Sequence, residues 1–130
     1  MSDRYRRGVD IVDQLAPGSL EQFCTGCVAE VAPDFARMVI EFAFGDLYVR
    51  DALDLKSREM VAVAALASLG HTKQLRQHVA AALQLGVDRP AIVEILMQSA
   101  LYCGFPRALN ALADCHDLLT DHDCVGKRCR

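Results

Sequence analysis

Residues 60–67, MVAVAALA, carry no polar side chain on any face of a helix. A helix that is apolar all round belongs at the centre of a bundle or in a contact between subunits, because it has no face to offer water. The rest of the chain must then supply further helices, each with one apolar face, and the patterning agrees. No stretch alternates apolar and polar residues with period two. "PDFARMVIEFAFGDLYV" instead sets Phe35, Met38, Val39, Phe42 and Ala43 at helical spacing. The apolar mass is mostly Ala, Leu and Val, with no Trp and four Pro, which favours helix over strand. The expected fold class is all-α, a bundle of about six to seven helices.

Helix ends are marked along the chain. Pro17 and Gly18 stop a first helix in "RYRRGVDIVDQLA", and Ser19 is placed to cap a second running through "EQFCTGCVAEV" to Pro33. Gly70 ends the apolar helix, and Thr72 is placed to cap the next, which closes at Gly86. Asp88 and Pro90 open "VDRPAIVEILMQSALYCG"; Gly104 and Pro106 precede a last helix, "PRALNALADCHDLLTDH". With no repeat and no shift in composition, residues 1–130 read as a single domain with an irregular tail from residue 123.

Hydrophobic residues make up 52% of the chain and its mean hydropathy is +0.16. A monomer of 130 residues would struggle to hide so much apolar surface, so a homo-oligomer is expected. Net charge is −3, and neither the Arg4, Arg6, Arg7 cluster nor the closing "GKRCR" is interleaved with aromatic residues, which argues against nucleic acid as a partner. The start, "MSDRYRRGVD", lacks the apolar core of a signal peptide, and residues 60–69 are too short to cross a bilayer. A cytoplasmic protein without membrane partners is expected. The six cysteines lack the secretory context of a disulfide framework and are read as free thiols.

The candidate site lies in "LGHTKQLRQHVAAALQLG", residues 69–86. Leu75, Val79, Ala82 and Leu83 define an inward face, and His78 falls within it; Gln74 and His71 stand one and two turns earlier along its edge. Glu59 begins the apolar helix, where a carboxylate must be paired or partly desolvated. A half-buried carboxylate facing a half-buried imidazole is an acid–base unit able to move a proton near neutral pH. The same pair also serves as a plain structural hydrogen bond between two helices. Shared metal ligation by His71, His78 and Glu59 is disfavoured by the two-turn spacing of the histidines, so no metal is expected.

"Ser-Arg-Glu" at 57–59, the apolar helix, Gly70, "LRQHVAAALQLG" at 75–86 and "YCGFPRALNAL" at 102–112 together resemble the carboxymuconolactone decarboxylase family, over about residues 35–113. The resemblance implies an alkylhydroperoxidase D-like subunit assembling as a homotrimer or homohexamer. Peroxidase-type relatives carry Glu-x11-Cys-x2-Cys-x3-His, a redox thiol pair between two proton-handling residues. Here Glu59 and His78 stand at both ends while His71 and Gln74 fill the cysteine positions, which removes disulfide chemistry from this site.

The resemblance implies a cofactor-free decarboxylation of a carboxylated lactone such as γ-carboxymuconolactone, in protocatechuate breakdown. In this reading His78 and Glu59 handle the proton and His71 is a second acid or a carboxylate-binding group. Gln74 and Tyr102 donate hydrogen bonds, and Arg58 is either a counter-ion for the anionic substrate or part of a structural ion pair. Dedicated decarboxylases carry a small polar residue where Glu59 stands, which sets this chain nearer the broader family.

"FCTGC" offers a rival. If helical, Cys24 and Cys27 share a face and form a possible redox pair, which would make the chain a thiol-dependent peroxidase or reductase; as packing thiols they would be inert. A non-catalytic small-molecule-binding oligomer of the same fold is the third class. Cys115, His116, His122, Cys124 and Cys129 match no common zinc spacing and are read as incidental to a helix end.

Overall fold

Helices form the regular structure of residues 1–120, the part of the chain that the computed structural model describes, and no strand occurs among them. Two compact units are present, Met1–Arg58 and Glu59–Arg130.

In the first unit, α1 (Asp3–Leu15) opens on Ser2, whose hydroxyl accepts from the Tyr5 N–H and donates to Glu41 at 2.6 Å. It packs along a π-helical segment, Val39–Leu47. The two backbones nearly touch. A Cβ on Gly8 would strike the Ile40 carbonyl, and one on Gly45 would strike the carbonyl of Arg4. Arg4 grips both Asp46 oxygens, and Arg7 donates to the Gly45 carbonyl at 3.1 Å. Ile11, Val12, Leu15, Ala36 and Ile40 are buried in this unit.

Three short helices join these elements: α2 (Leu20–Thr25), α3 (Cys27–Val31) and α4 (Pro33–Met38). The single helix expected through "EQFCTGCVAEV" is broken by Gly26, whose backbone is extended, and the Ser19 side chain makes no capping bond. Phe35, Met38 and Phe42 lie exposed while Ala36 and Ile40 are buried. The π-helical segment begins only at Val39, so the wider turn changes the side-chain spacing for Phe42 and beyond, whereas Phe35 and Met38 precede it on α4.

Helix α5 (Leu55–Leu69) starts where the Asp54 carboxylate accepts from the Ser57 N–H at 2.8 Å. That bond holds the Asp54 carboxyl below its ordinary pKa. Glu59, Val63 and Ala67 form its buried stripe, whereas Val61 is exposed on the single chain. In the second unit follow α6 (Thr72–Gln84), α7 (Arg89–Cys103), α8 (Phe105–Asp114) and α9 (His116–Leu119). Val63, Leu75, Val79, Ala82, Ile92, Leu96 and Cys115 form one core.

Asp88 caps α7 as expected, accepting from the Ala91 N–H at 2.8 Å with Pro90 in the first turn. Thr72 does not cap α6. His71 holds that position without a side-chain bond, and the Thr72 hydroxyl donates to Asp114 at 2.9 Å. The last helix is interrupted at the fully buried Cys115, whose thiol burial pushes up in pKa. Arg76 spans the interruption, donating to the Asp114 carbonyl and to both Asp117 oxygens. No helix among the described residues is long and apolar enough to cross a membrane. The expected tail, with His122, Cys124 and Cys129, lies outside the described residues.

Candidate active site

Glu59 enters the core because it shares a helix face with Val63 and Ala67, at spacings of four. Its side chain is 0% exposed. On α6, Leu75, Val79 and Ala82 turn inward, and His78, one residue before Val79, reaches the rim of the same face with 24% of its side chain exposed. The two side chains meet: His78 Nδ1 lies 2.6 Å from Glu59 Oε2. Facing a carboxylate, Nδ1 carries the hydrogen and donates it, and a contact this short has the character of a charge-assisted bond.

This geometry leaves two atoms available. Imidazole Nε2 has no protein partner among the described residues. Glu59 Oε1 is buried and has no hydrogen-bond partner there either. Buried acceptors of this kind are rare in folded proteins, since leaving one unmade costs on the order of 1–3 kcal/mol. The pair can therefore present an imidazole edge at the rim with a carboxylate hydrogen-bonded behind it. That is the arrangement of a proton donor or acceptor with an orienting carboxylate.

The other expected site residues are not drawn to this pair. His71 sits outside α6 at its start, Gln74 lies within it, and both are exposed. Tyr102, near the end of α7, is 79% exposed. None of the three hydrogen-bonds to Glu59 or His78 among the described residues. Arg58 forms no ion pair among the described residues. Its guanidinium donates to the carbonyls of Leu53 and Arg50, both at 3.0 Å, and lies 5.8 Å from the centre of the Tyr48 ring.

Cys24 and Cys27 are exposed free thiols on different helices, separated by the break at Gly26. They do not share one helical face. Cys24 Sγ lies 3.4 Å from the Tyr5 hydroxyl, a contact that raises the Tyr5 pKa.

A cavity of about 360 Å³ opens elsewhere in the second unit, between the α5–α6 turn and α8. Its nearest residue on α5, Ala67, stands about 12 Å along the helix axis from Glu59. Arg107, Asn110 and Asp114 line it, and the sequence reading did not single them out. A signal was present: polar residues recur there at helical spacing beside the buried Ala108 and Ala111.

Comparison with known proteins follows the same residues. The profile of the Carboxymuconolactone decarboxylase family matches residues 33–113, a span that contains both Glu59 and His78. A 4-carboxymuconolactone decarboxylase of Acinetobacter baylyi is 25% identical over 118 residues, covering 91% of this chain and 88% of the relative. An uncharacterized 15.0 kDa protein of Paracoccus denitrificans is 27% identical over 107 residues, covering 81% of this chain and 80% of its own. A nitrosuccinic acid decarboxylase of Metarhizium robertsii is 28% identical over 75 residues, which are 58% of this chain and 52% of that protein. With a family match over more than half its length and an all-α structure, the chain belongs to the carboxymuconolactone decarboxylase family and has its alkylhydroperoxidase D-like fold.

Proposed function

We propose that this chain is a decarboxylase-like carbon–carbon lyase acting on a small carboxylated lactone such as γ-carboxymuconolactone in aromatic catabolism, with Glu59 and His78 handling the proton. The observation that carries the reading is the 2.6 Å bond between a fully buried carboxylate and an imidazole at the rim of the core. Two relatives named as decarboxylases, of a carboxymuconolactone and of nitrosuccinic acid, support the reaction class.

The chemistry asks little of the protein. As the bond to the substrate carboxylate breaks, carbon dioxide leaves and its electron pair passes into the unsaturated lactone, which becomes an enolate. Imidazolium at His78 then delivers a proton from Nε2 to carbon, while Glu59 holds the ring through Nδ1 and has stabilised its charge until that moment. The partial exposure of His78 lets solvent restore the proton.

His71, Gln74 and Tyr102 are exposed on the single chain, and in this proposal they are donors available to the substrate or to a second copy. Arg58, braced by the carbonyls of Leu53 and Arg50, is in this proposal the counter-ion for the substrate carboxylate.

Carbon dioxide release from a panel of carboxylated lactones tests the reading, with His78→Gln as control. A Gln amide can still donate to Glu59, so the variant is expected to fold while losing about 10²–10⁴-fold in rate. Undiminished turnover would remove His78 from the mechanism.

A further inference from the structure

The cavity between the α5–α6 turn and α8 brings opposite charges to one small space without joining them. Arg107, Asn110 and Asp114 follow one another along the same edge of α8. Arg107 makes no ion pair and no hydrogen bond with a described residue, although Asp114 lines the same cavity. Its guanidinium rests on the backbone of Gly70, in the space that a Cβ there would fill. Gly70 has φ +75°, a conformation that already favours glycine, so one residue both turns the chain and seats the cation. At the other end, one Asp114 oxygen takes the Thr72 hydroxyl at 2.9 Å. The second oxygen has no described donor. Arg76 is engaged by Asp117 and by the Asp114 carbonyl. The floor between the charges is apolar, formed by Ala67, Leu75 and Ala111.

We infer that this cavity is a binding site for a small hydroxy acid or amino acid, whose carboxylate pairs with Arg107 and whose hydroxyl or ammonium donates to Asp114. An exposed cation seated against Gly70 without an anion, an amide midway and a carboxylate with one open oxygen are the complement of such a molecule. A volume of about 360 Å³ is at the small end of ligand sites and admits a compound of this size with room for water. The inference does not depend on the lyase reading. The cavity lies at the far end of α5 from Glu59, and its charged residues lie outside the Glu59–His78 pair.

The test uses the full chain and three probes, L-lactate, L-alanine and acetate, followed by amide chemical shifts at Gly70, Thr72 and Asn110. Lactate or alanine should give saturable shifts at these amides, and acetate should bind at least tenfold more weakly; whichever of the first two is tighter identifies hydroxyl or ammonium as the donor. Arg107→Met should weaken the tighter probe at least tenfold, and Arg107→Lys should recover part of that loss. Asp114→Asn, which keeps an acceptor for Thr72, should abolish the preference over acetate when alanine is the tighter probe and reduce it when lactate is. His78→Gln should bind as the wild type does, so a failed lyase assignment leaves this outcome untouched. Absence of saturable shifts with all three probes, equal affinity in wild type and Arg107→Met, or no preference over acetate would each overturn the inference.

Discussion

Glu59 and His78 are unequal partners, and the inequality is measurable. Glu59 has no exposed surface and, among the described residues, hydrogen-bonds only to His78, whereas His78 keeps contact with solvent. Removing the imidazole strands a carboxylate with neither oxygen paired. Replacing the carboxylate by an amide leaves the imidazole an acceptor and access to water. His78→Ala should therefore cost about 3–5 kcal/mol at neutral pH and Glu59→Gln about 1 kcal/mol, in equilibrium urea unfolding. Equal costs, or the reverse order, would contradict this description of the pair. The pairing itself was legible in the sequence, since an acidic residue beginning an apolar helix and a histidine beside Val79 both had to face inward. The exposure of His71 and Gln74 was not. Helical spacing fixes which residues neighbour each other on a helix, but where the buried face ends depends on what packs against it.

Two elements show where local pattern and tertiary contact part company. In the first unit, α1 meets the π-helical segment through Gly8 and Gly45, whose missing side chains allow backbone to approach backbone. Gly8→Ala should lower stability by about 1–3 kcal/mol, because the obstacle is the Ile40 carbonyl and not a movable side chain. Gly18→Asn, at an open turn with φ +78° and nothing within 4 Å, should change stability by less than about 0.5 kcal/mol. Similar unfolding midpoints for the two variants would argue against the close approach. Sequence patterning could not reveal this contact, since a π turn leaves no mark in apolar spacing.

In the second unit, α9 is tied to α6 by Arg76 and Asp117. The Arg76 guanidinium holds the Asp117 carboxyl down to about 2. A depressed carboxylate pKa stabilises the fold above the unfolded value near 4 and ceases to do so as pH falls through the folded value. The difference in melting temperature between wild type and Asp117→Asn should therefore be largest above pH 4 and shrink toward pH 2. A difference that stays constant across this range would exclude the pair as its source.

For the whole molecule, the apolar excess in the composition corresponds to large apolar side chains left exposed on the single chain. Met97, Leu101, Tyr102, Phe105 and Leu109 are exposed along α7 and α8 of the single chain, as are Val61 and Leu69 on α5. Surfaces of this kind support the proposed homotrimer or homohexamer. Leu101→Glu should shift the mass measured by light scattering to that of a smaller species; an unchanged mass would place the contact elsewhere. The all-α class and the capping of α7 by Asp88 could be read in advance from periodicity and helix-end signals. The break at Gly26 is local, since its backbone is extended and a Cβ there would strike the Gln22 carbonyl one turn earlier, and the glycine alone did not announce it. The central proposal is proton handling by Glu59 and His78 during loss of carbon dioxide. Its most direct test is the rate of carbon dioxide release from γ-carboxymuconolactone by wild type and by His78→Gln, with fold and assembly confirmed for both. The account predicts release by the wild type and a loss of at least about 10²-fold in the variant. Equal rates, or no release by either, would contradict it.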